Sequence, residues 1–150
     1  SLNGATVWQS ASYSPAAKLV YVAAREKAAI YYKREAVFKP GTFFAGGGER
    51  DLSRDEQWGA IRALEPTTGK LRWEFKLQSP PWSGVMSTAG GLVFSGTNEG
   101  QIFGLDAASG KLLWQFHAGG PVAANPVGFA VGNQQRIAMS ADRVLYVFGL

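Results

Sequence analysis

The stretch GLDAASGKLLWQF at residues 104–116 decides the fold, because nearly the same stretch, ALEPTTGKLRWEF, occurs at residues 63–75. The two copies align at an offset of 41 residues, with Gly69 on Gly110, Lys70 on Lys111, Trp73 on Trp114 and Phe75 on Phe116. A repeat of about 40 residues is the length of one four-stranded β-propeller blade. Helical repeats of similar length need long apolar stripes with a period of about 3.6 residues, and this sequence has none.

Each copy also predicts a strand with one apolar and one polar face. In the first copy, Leu71, Trp73, Phe75 and Leu77 alternate with Arg72, Glu74, Lys76 and Gln78. Strict alternation is typical of a half-buried strand. The turn before each strand, TTGK or ASGK, holds a glycine where a short hairpin needs a residue with positive φ. Each repeat is therefore predicted to contain a strand, a glycine turn and a second strand.

The whole chain predicts about three antiparallel, four-stranded blades in one all-β domain. We place the blades at residues 5–78, 85–118 and 123–150. A glycine-, charge- and aromatic-rich insertion at 30–58 interrupts the first blade, and the last blade lacks its fourth strand. Closed propellers need about 4 to 8 blades and commonly complete the last blade with a strand from the other terminus. We therefore expect a partial propeller, with an open edge at its last strand.

Composition excludes several classes of function. The formal net charge of +4 and the pI of about 9.5 come from scattered basic residues, without the clusters that nucleic-acid binding requires. The absence of cysteine excludes disulfides and thiolate metal sites, and the single histidine, His117, excludes a histidine cluster. No apolar stretch reaches the ~20 residues of a membrane span, and no segment resembles a signal peptide.

The repeated stretch resembles a motif of the pyrroloquinoline quinone (PQQ)-dependent alcohol and sugar dehydrogenases, which are eight-bladed propellers. Their tryptophan docking motif runs Ala-x-Asp-x-x-x-Gly-Lys-x-x-Trp. Here it lies at 63–73, with Glu65 in place of the Asp, and at 104–114, with Gly104 in place of the Ala. The resemblance implies that each Trp packs between neighbouring blades, against the turn of the next. It covers almost the whole chain, is most specific at PPWSGVMSTAGGLVFSGTNEGQIFGLDA (80–107), and is to the C-terminal portion of such an enzyme.

The resemblance also implies a cofactor site. In that family PQQ lies on the propeller axis against a Trp ring, with bound Ca²⁺ and a catalytic Asp. No residue here matches the Ca²⁺ ligands or the catalytic Asp, so no catalytic or metal-binding residue is assigned and the chain is expected to be inactive alone. Trp82 matches a family Trp that contacts the quinone, although Ser83 replaces the usual Gly. An ordinary aromatic between blades is the alternative for Trp82.

Two further cofactor contacts follow from the same comparison. Arg25 lies where many family members carry an Asn, and its guanidinium would donate to a quinone oxygen or carboxylate. Pairing with Glu26, or a place on the surface, is the alternative. Asp142, after Ala141, replaces a glycine-rich turn that lies near the cofactor in relatives.

The resulting expectation is a periplasmic propeller segment of a PQQ-dependent dehydrogenase that oxidises an alcohol or sugar. The segment would supply scaffold and part of the quinone-binding wall, and the 30–58 insertion would line the substrate entrance or dock the electron acceptor. Its partners would be the missing N-terminal blades, or another copy associating through the open edges. One alternative is a non-enzymatic PQQ-repeat propeller that acts as a protein-interaction scaffold. A second is a small self-standing β protein that buries its edges by oligomerising.

Overall fold

The computed structural model describes residues 1–149 and is built from thirteen β-strands. The strands are β1 (Ser12–Ser14), β2 (Leu19–Glu26), β3 (Ala29–Lys33), β4 (Gly47–Asp51), β5 (Trp58–Leu64), β6 (Leu71–Leu77), β7 (Met86–Ser87), β8 (Leu92–Gly96), β9 (Gln101–Asp106), β10 (Leu112–His117), β11 (Val127–Val131), β12 (Gln134–Ala141) and β13 (Val144–Gly149). A single turn of 3-10 helix, Arg54–Glu56, precedes β5. Among residues 1–149, no helix has the length and apolarity that a bilayer crossing requires.

The strands form three antiparallel blades and one separate hairpin. The first blade has the order β1-β2-β5-β6, the second β10-β9-β8-β7 and the third β11-β12-β13. Strands β3 and β4 pair only with each other, and this hairpin interrupts the first blade between β2 and β5. The predicted fold class is thereby confirmed, with four, four and three strands among the described residues. The final residue of the predicted third blade, Leu150, lies outside the described residues.

The blades pack face to face, and the second blade contributes alternate residues to two cores. Its residues Val93, Phe103 and Leu105 are buried against the first blade, where the core includes Tyr21 and Ile61. The core on its other side is formed by Phe94, Ile102, Val122, Ile137, Met139 and Ala141. Successive residues of a strand point to opposite faces of its sheet, so an apolar central blade buries both faces.

Trp73 joins the first blade to the turn of the second. Its indole Nε1 donates a hydrogen bond to the Ala107 carbonyl at 3.0 Å, and the Tyr21 hydroxyl donates to the same oxygen at 2.9 Å. A Cβ placed on Gly110 would lie 2.6 Å from the Trp73 ring, so glycine allows the turn to approach the indole closely. Gly69 and Gly110 both have positive φ, at 70° and 73°, as the turn chemistry predicted.

The turn that carries Gly110 is held by Asp106. The Asp106 carboxylate accepts hydrogen bonds from the Ser109 amide at 2.8 Å and the Ser109 hydroxyl at 2.7 Å. These bonds, with a further one from the Ala108 amide, hold the pKa of Asp106 below its ordinary value, because they favour the ionised form. An Asp in this position stabilises the turn because its side chain accepts hydrogen bonds from backbone amides of the same turn.

Candidate functional site

Trp82 lies in the loop between β6 and β7, and its ring contacts the side chains of Arg25 and Trp8. The Arg25 guanidinium carbon lies 3.6 Å from the centroid of the Trp82 ring, which is the geometry of a close cation–π contact. The Trp8 ring stacks with Trp82 at a centroid separation of 6.4 Å, with the two planes inclined by 24°. The structure therefore brings two of the predicted cofactor residues into direct contact, together with a third residue that the sequence did not single out.

Arg25 is almost completely buried, at 3% exposure, near the end of β2. Its Nε donates to the Asn3 carbonyl at 2.7 Å, and one terminal nitrogen donates to the Pro81 carbonyl at 2.6 Å. Burial lowers the pKa of the guanidinium from its ordinary value. Arginine nevertheless stays ionised in proteins, so the site holds a permanent positive charge.

Neither alternative considered for Arg25 describes its position. It does not lie on the surface, and Glu26 pairs instead with Arg62, with 2.7 Å between the charged atoms. A buried charge is tolerated where hydrogen bonds and an aromatic face replace water. Through these hydrogen bonds and its contact with the ring, Arg25 therefore connects β2 to the segment that contains Asn3 and to the loop that contains Pro81 and Trp82.

A cavity of about 430 Å³ opens beside Trp82. It is lined by Arg25, Lys27, Gln57, Ser79, Pro80, Trp82, Asn98 and Glu99. Several of these groups already have partners within the protein: Lys27 pairs with Asp51 at 2.7 Å, and the Asn98 amide donates to the Pro80 carbonyl at 2.8 Å. The cavity thus combines an aromatic plane with two cations and one carboxylate, Glu99, and internal contacts hold the Lys27 and Asn98 side chains in position.

Ser83 and Asp142, the other two predicted contacts, have different surroundings. Ser83 is fully buried, and its hydroxyl lies 2.9 Å from the Ala124 carbonyl oxygen, to which it donates. Asp142 is exposed in the turn between β12 and β13, with a φ of 49°, and its amide donates to the Pro121 carbonyl at 2.9 Å. Both residues stay predictions as cofactor contacts.

A backbone hydrogen bond joins the segment that contains Trp8 to the segment that contains Trp82. The Val85 amide donates to the Ser10 carbonyl at 2.9 Å, and the Ser10 amide donates to the Asn125 side-chain oxygen at 3.3 Å. A Cβ on Gly84 would lie 2.5 Å from the Ser10 hydroxyl, so this contact requires glycine. The sequence carries no strong signal for the pairing, because WQS at 8–10 and WSG at 82–84 have only the Trp in common.

The residues present fit one wall of a site for a flat aromatic anion. An indole plane can stack on a planar ring system, and a buried guanidinium stabilises negative charge nearby. PQQ, a planar quinone that carries carboxylates, has this chemistry. Among residues 1–149, no group of three or more His, Asp or Glu side chains is arranged to hold a metal ion.

A family model named PQQ_2, described as "Outer membrane protein assembly factor BamB", matches residues 57–149. The chain belongs to this PQQ-repeat family. Similar curated proteins include the quinoprotein alcohol dehydrogenase PedE of Pseudomonas putida, 36% identical over 139 residues, and a quinoprotein ethanol dehydrogenase of Pseudomonas aeruginosa, 35% identical. In both cases the match covers 91% of this chain and 22% of the relative, so the chain spans less than a quarter of their length.

Solved structures give the same assignment within the PQQ-repeat family. A europium-containing methanol dehydrogenase matches with a TM-score of 0.81 at 32% identity, over 90% of this chain and 24% of that one. The quinohemoprotein alcohol dehydrogenase ADHIIG from Pseudomonas putida HK5 matches with a TM-score of 0.83 at 28% identity, over 95% and 23%. BamB from Moraxella catarrhalis, at 19% identity and a TM-score of 0.50, shares the fold alone. The chain is thus similar to a propeller segment of quinoprotein alcohol dehydrogenases.

Proposed function

We propose that this chain is a propeller segment of a PQQ-dependent dehydrogenase that oxidises an alcohol or sugar, and that it supplies scaffold and one wall of the quinone site. The observation that carries the proposal is the Arg25 guanidinium, buried and stacked on Trp82 beside a cavity. The similarity to quinoprotein alcohol dehydrogenases supports it. Bound PQQ, with a metal such as Ca²⁺ held by residues outside this chain, would supply the oxidant.

The residues of this chain would bind and orient the cofactor. Trp82 would offer its ring as a stacking surface, and Arg25 would hold that ring in place and add a positive charge beside it. Ser83 and Asp142 would contribute to the same wall through their loops. The general base for the alcohol and the metal ligands would come from other blades.

The repeated stretches at 63–73 and 104–114 would act as docking motifs between blades. The Trp73 ring against Gly110, with its hydrogen bond to Ala107, supports this role. We propose one domain with blades at 5–78, 85–118 and 123–150, and an insertion at 30–58 that lines the substrate entrance or docks the electron acceptor. A periplasmic location is proposed from the relatives.

The test is the affinity for PQQ, measured by equilibrium dialysis with Ca²⁺ present and followed in parallel by tryptophan fluorescence. We expect saturable binding that Trp82→Ala weakens at least tenfold, since the substitution removes the stacking surface. Trp58→Ala is the matched control. Trp58 is also half-buried and flanked by cations, Lys76 at 5.0 Å and Arg62 at 5.7 Å, but it does not line the Trp82 cavity. Equal losses in both variants would contradict the proposed role of Trp82.

The alternative function, a protein-interaction scaffold without a cofactor, is supported by the description of the matching family model. A folded sample that binds no PQQ at any accessible concentration would favour this alternative. In such a scaffold Arg25 would have only a structural role, so Arg25→Asn would then weaken partner binding no more than its loss of stability accounts for.

A further inference from the structure

We infer that Asn98 is a positioning residue of the candidate site. Its side-chain amide holds the loop that carries Trp82, and through that loop it fixes the place of the indole at the wall of the cavity. The inference rests on the proposed function for the role of the Trp82 ring as a stacking surface. It goes beyond that function because Asn98 is not among the proposed cofactor contacts and acts on the ligand only through another residue.

The loop that carries Trp82 has two successive prolines, Pro80 and Pro81, just before the tryptophan. A proline has a backbone carbonyl but no N–H, so this part of the loop accepts hydrogen bonds and donates none. The Arg25 guanidinium donates to the Pro81 carbonyl at 2.6 Å, and the Asn98 side-chain amide donates to the Pro80 carbonyl at 2.8 Å. Two side chains therefore hold the two carbonyls that precede Trp82.

Asn98 makes a second contact with the same loop, at the wall of the cavity. Its amide nitrogen also donates to the Ser79 hydroxyl oxygen at 3.0 Å. Asn98, Ser79, Pro80 and Trp82 all line the cavity. The hydrogen bonds of Asn98 therefore act on the part of the loop that shapes the candidate site.

The loop also lies directly on strand β5, at Gly59. A Cβ on Gly59 would lie 2.8 Å from the Ser79 carbonyl oxygen and would overlap the Pro81 ring. With β5 below it, Arg25 of the first blade on one carbonyl and Asn98 of the second blade on the other, the loop is held from both blades. The place of Trp82 thus depends on each of these contacts.

The turn that carries Asn98 is itself fixed in position. It joins β8 to β9, and Gly100 closes it with a φ of 87°. The buried Thr97 hydroxyl accepts a hydrogen bond from the Gln101 amide at 3.2 Å, and the Thr97 carbonyl accepts one from the Val122 amide at 3.0 Å. A binding residue is placed accurately only when the residues that support it are themselves held. Asn98 meets this condition for Trp82.

The first test needs no ligand and measures the near-ultraviolet circular dichroism of the full chain. The difference between wild type and Trp82→Ala gives the signal of the packed Trp82 indole. We expect Asn98→Ala to lose most of this signal and to change nothing further in the Trp82→Ala background. Asn133→Ala is the control and should keep the full signal, because Asn133 lies in the turn between β11 and β12 and does not line the Trp82 cavity.

The second test measures the affinity for PQQ by dialysis with Ca²⁺ for Asn98→Ala, Trp82→Ala and the double variant. We expect Asn98→Ala to raise the PQQ dissociation constant about fivefold, the loss that corresponds to one hydrogen bond. In the Trp82→Ala background the same substitution should have no effect, because the residue that it positions is gone. A purely structural role would give the same loss in both backgrounds. Thermal unfolding establishes that every variant is folded at the temperature of dialysis.

The outcomes separate this inference from the proposed function. If Asn98→Ala weakens PQQ binding equally with and without Trp82, or leaves it unchanged, the inference is overturned and the proposed function stands. If wild type shows no saturable binding of PQQ, the proposed function is overturned, and circular dichroism decides the inference. A full Trp82 signal in Asn98→Ala then overturns it, and a reduced signal supports it.

Discussion

At the scale of single residues, Arg25 joins three separate parts of the chain through one side chain. It packs on the Trp82 ring and donates to the carbonyls of Asn3 and Pro81. A planar guanidinium can do this because its donors point in fixed, divergent directions, while a lysine ammonium lacks both the plane and the fork. This position is therefore specific for arginine, both for stability and for the placement of Trp82.

We predict that Arg25→Ala lowers the free energy of unfolding by about 3 kcal/mol, because hydrogen bonds to charged groups contribute roughly 1.5–3 kcal/mol and the two carbonyls would lose their donor. Arg25→Lys should recover less than half of the loss. Urea unfolding followed by fluorescence measures both changes. Arg72→Ala, at an exposed position of β6, is the control and should stay within about 0.5 kcal/mol of wild type. An Arg25→Ala variant as stable as Arg72→Ala would refute the assigned contacts.

The sequence predicted that Arg25 and Trp82 belong to one site, but not how they meet. Asn3, Arg25 and Pro81 are far apart along the chain, and their contacts depend on how the first and second blades pack. Trp8 was missed for a related reason. The insertion lengthens the first repeat, so that Trp8 and Trp82 are 74 residues apart instead of 41, and the two segments have only the Trp in common.

At the scale of elements, the two glycine turns have the same backbone but different surroundings. Gly69 has open space around the position of a Cβ, whereas a Cβ on Gly110 would lie 2.6 Å from the Trp73 ring. The φ values differ by only a few degrees, at 70° and 73°. Gly69 is therefore a control for Gly110, because it has the same backbone conformation and, within the described residues, makes no contact with the neighbouring blade.

We predict that Gly69→Ala costs about 1 kcal/mol of stability, the penalty for a side chain in left-handed backbone. Gly110→Ala should cost about 3 kcal/mol, because overpacking against the indole adds roughly 1–3 kcal/mol to the same penalty. Thermal unfolding of the two variants gives the difference directly. If the two losses of stability are equal, the turn of the second blade does not pack on Trp73 in solution, and the proposed role of Trp73 in docking the two blades is wrong.

The strand repeats were predictable because they are local patterns. Alternation in β6 and the TTGK and ASGK turns specify a strand and its turn without any long-range contact. The β3–β4 hairpin was not predicted as a hairpin, because the glycine run at residues 46–48 and the aromatic residues around it show neither a period of two nor a clear two-residue turn. Local chemistry therefore predicts the blades better than it predicts the insertion between them.

At the scale of the whole molecule, the third blade leaves an apolar edge and face exposed. Its strand β13 pairs with β12 on one side only among the described residues. Val144, Leu145 and Val147 of this strand are at least half exposed, although they are apolar. An edge strand with apolar residues is a template for pairing with another chain, and natural proteins protect such edges with charge or cover. The isolated chain is consequently expected to associate with itself.

We predict concentration-dependent self-association of the wild-type chain in light scattering after gel filtration, and a shift towards monomer in Leu145→Lys. Leu145 is 67% exposed on the edge strand, where a lysine opposes strand pairing. Val37→Lys is the matched control, because Val37 is 85% exposed but lies in the loop of the β3–β4 hairpin. If Val37→Lys disperses the assemblies and Leu145→Lys does not, the hairpin loop is the associating surface. If the wild type is monomeric at every concentration, the exposed edge alone does not drive association.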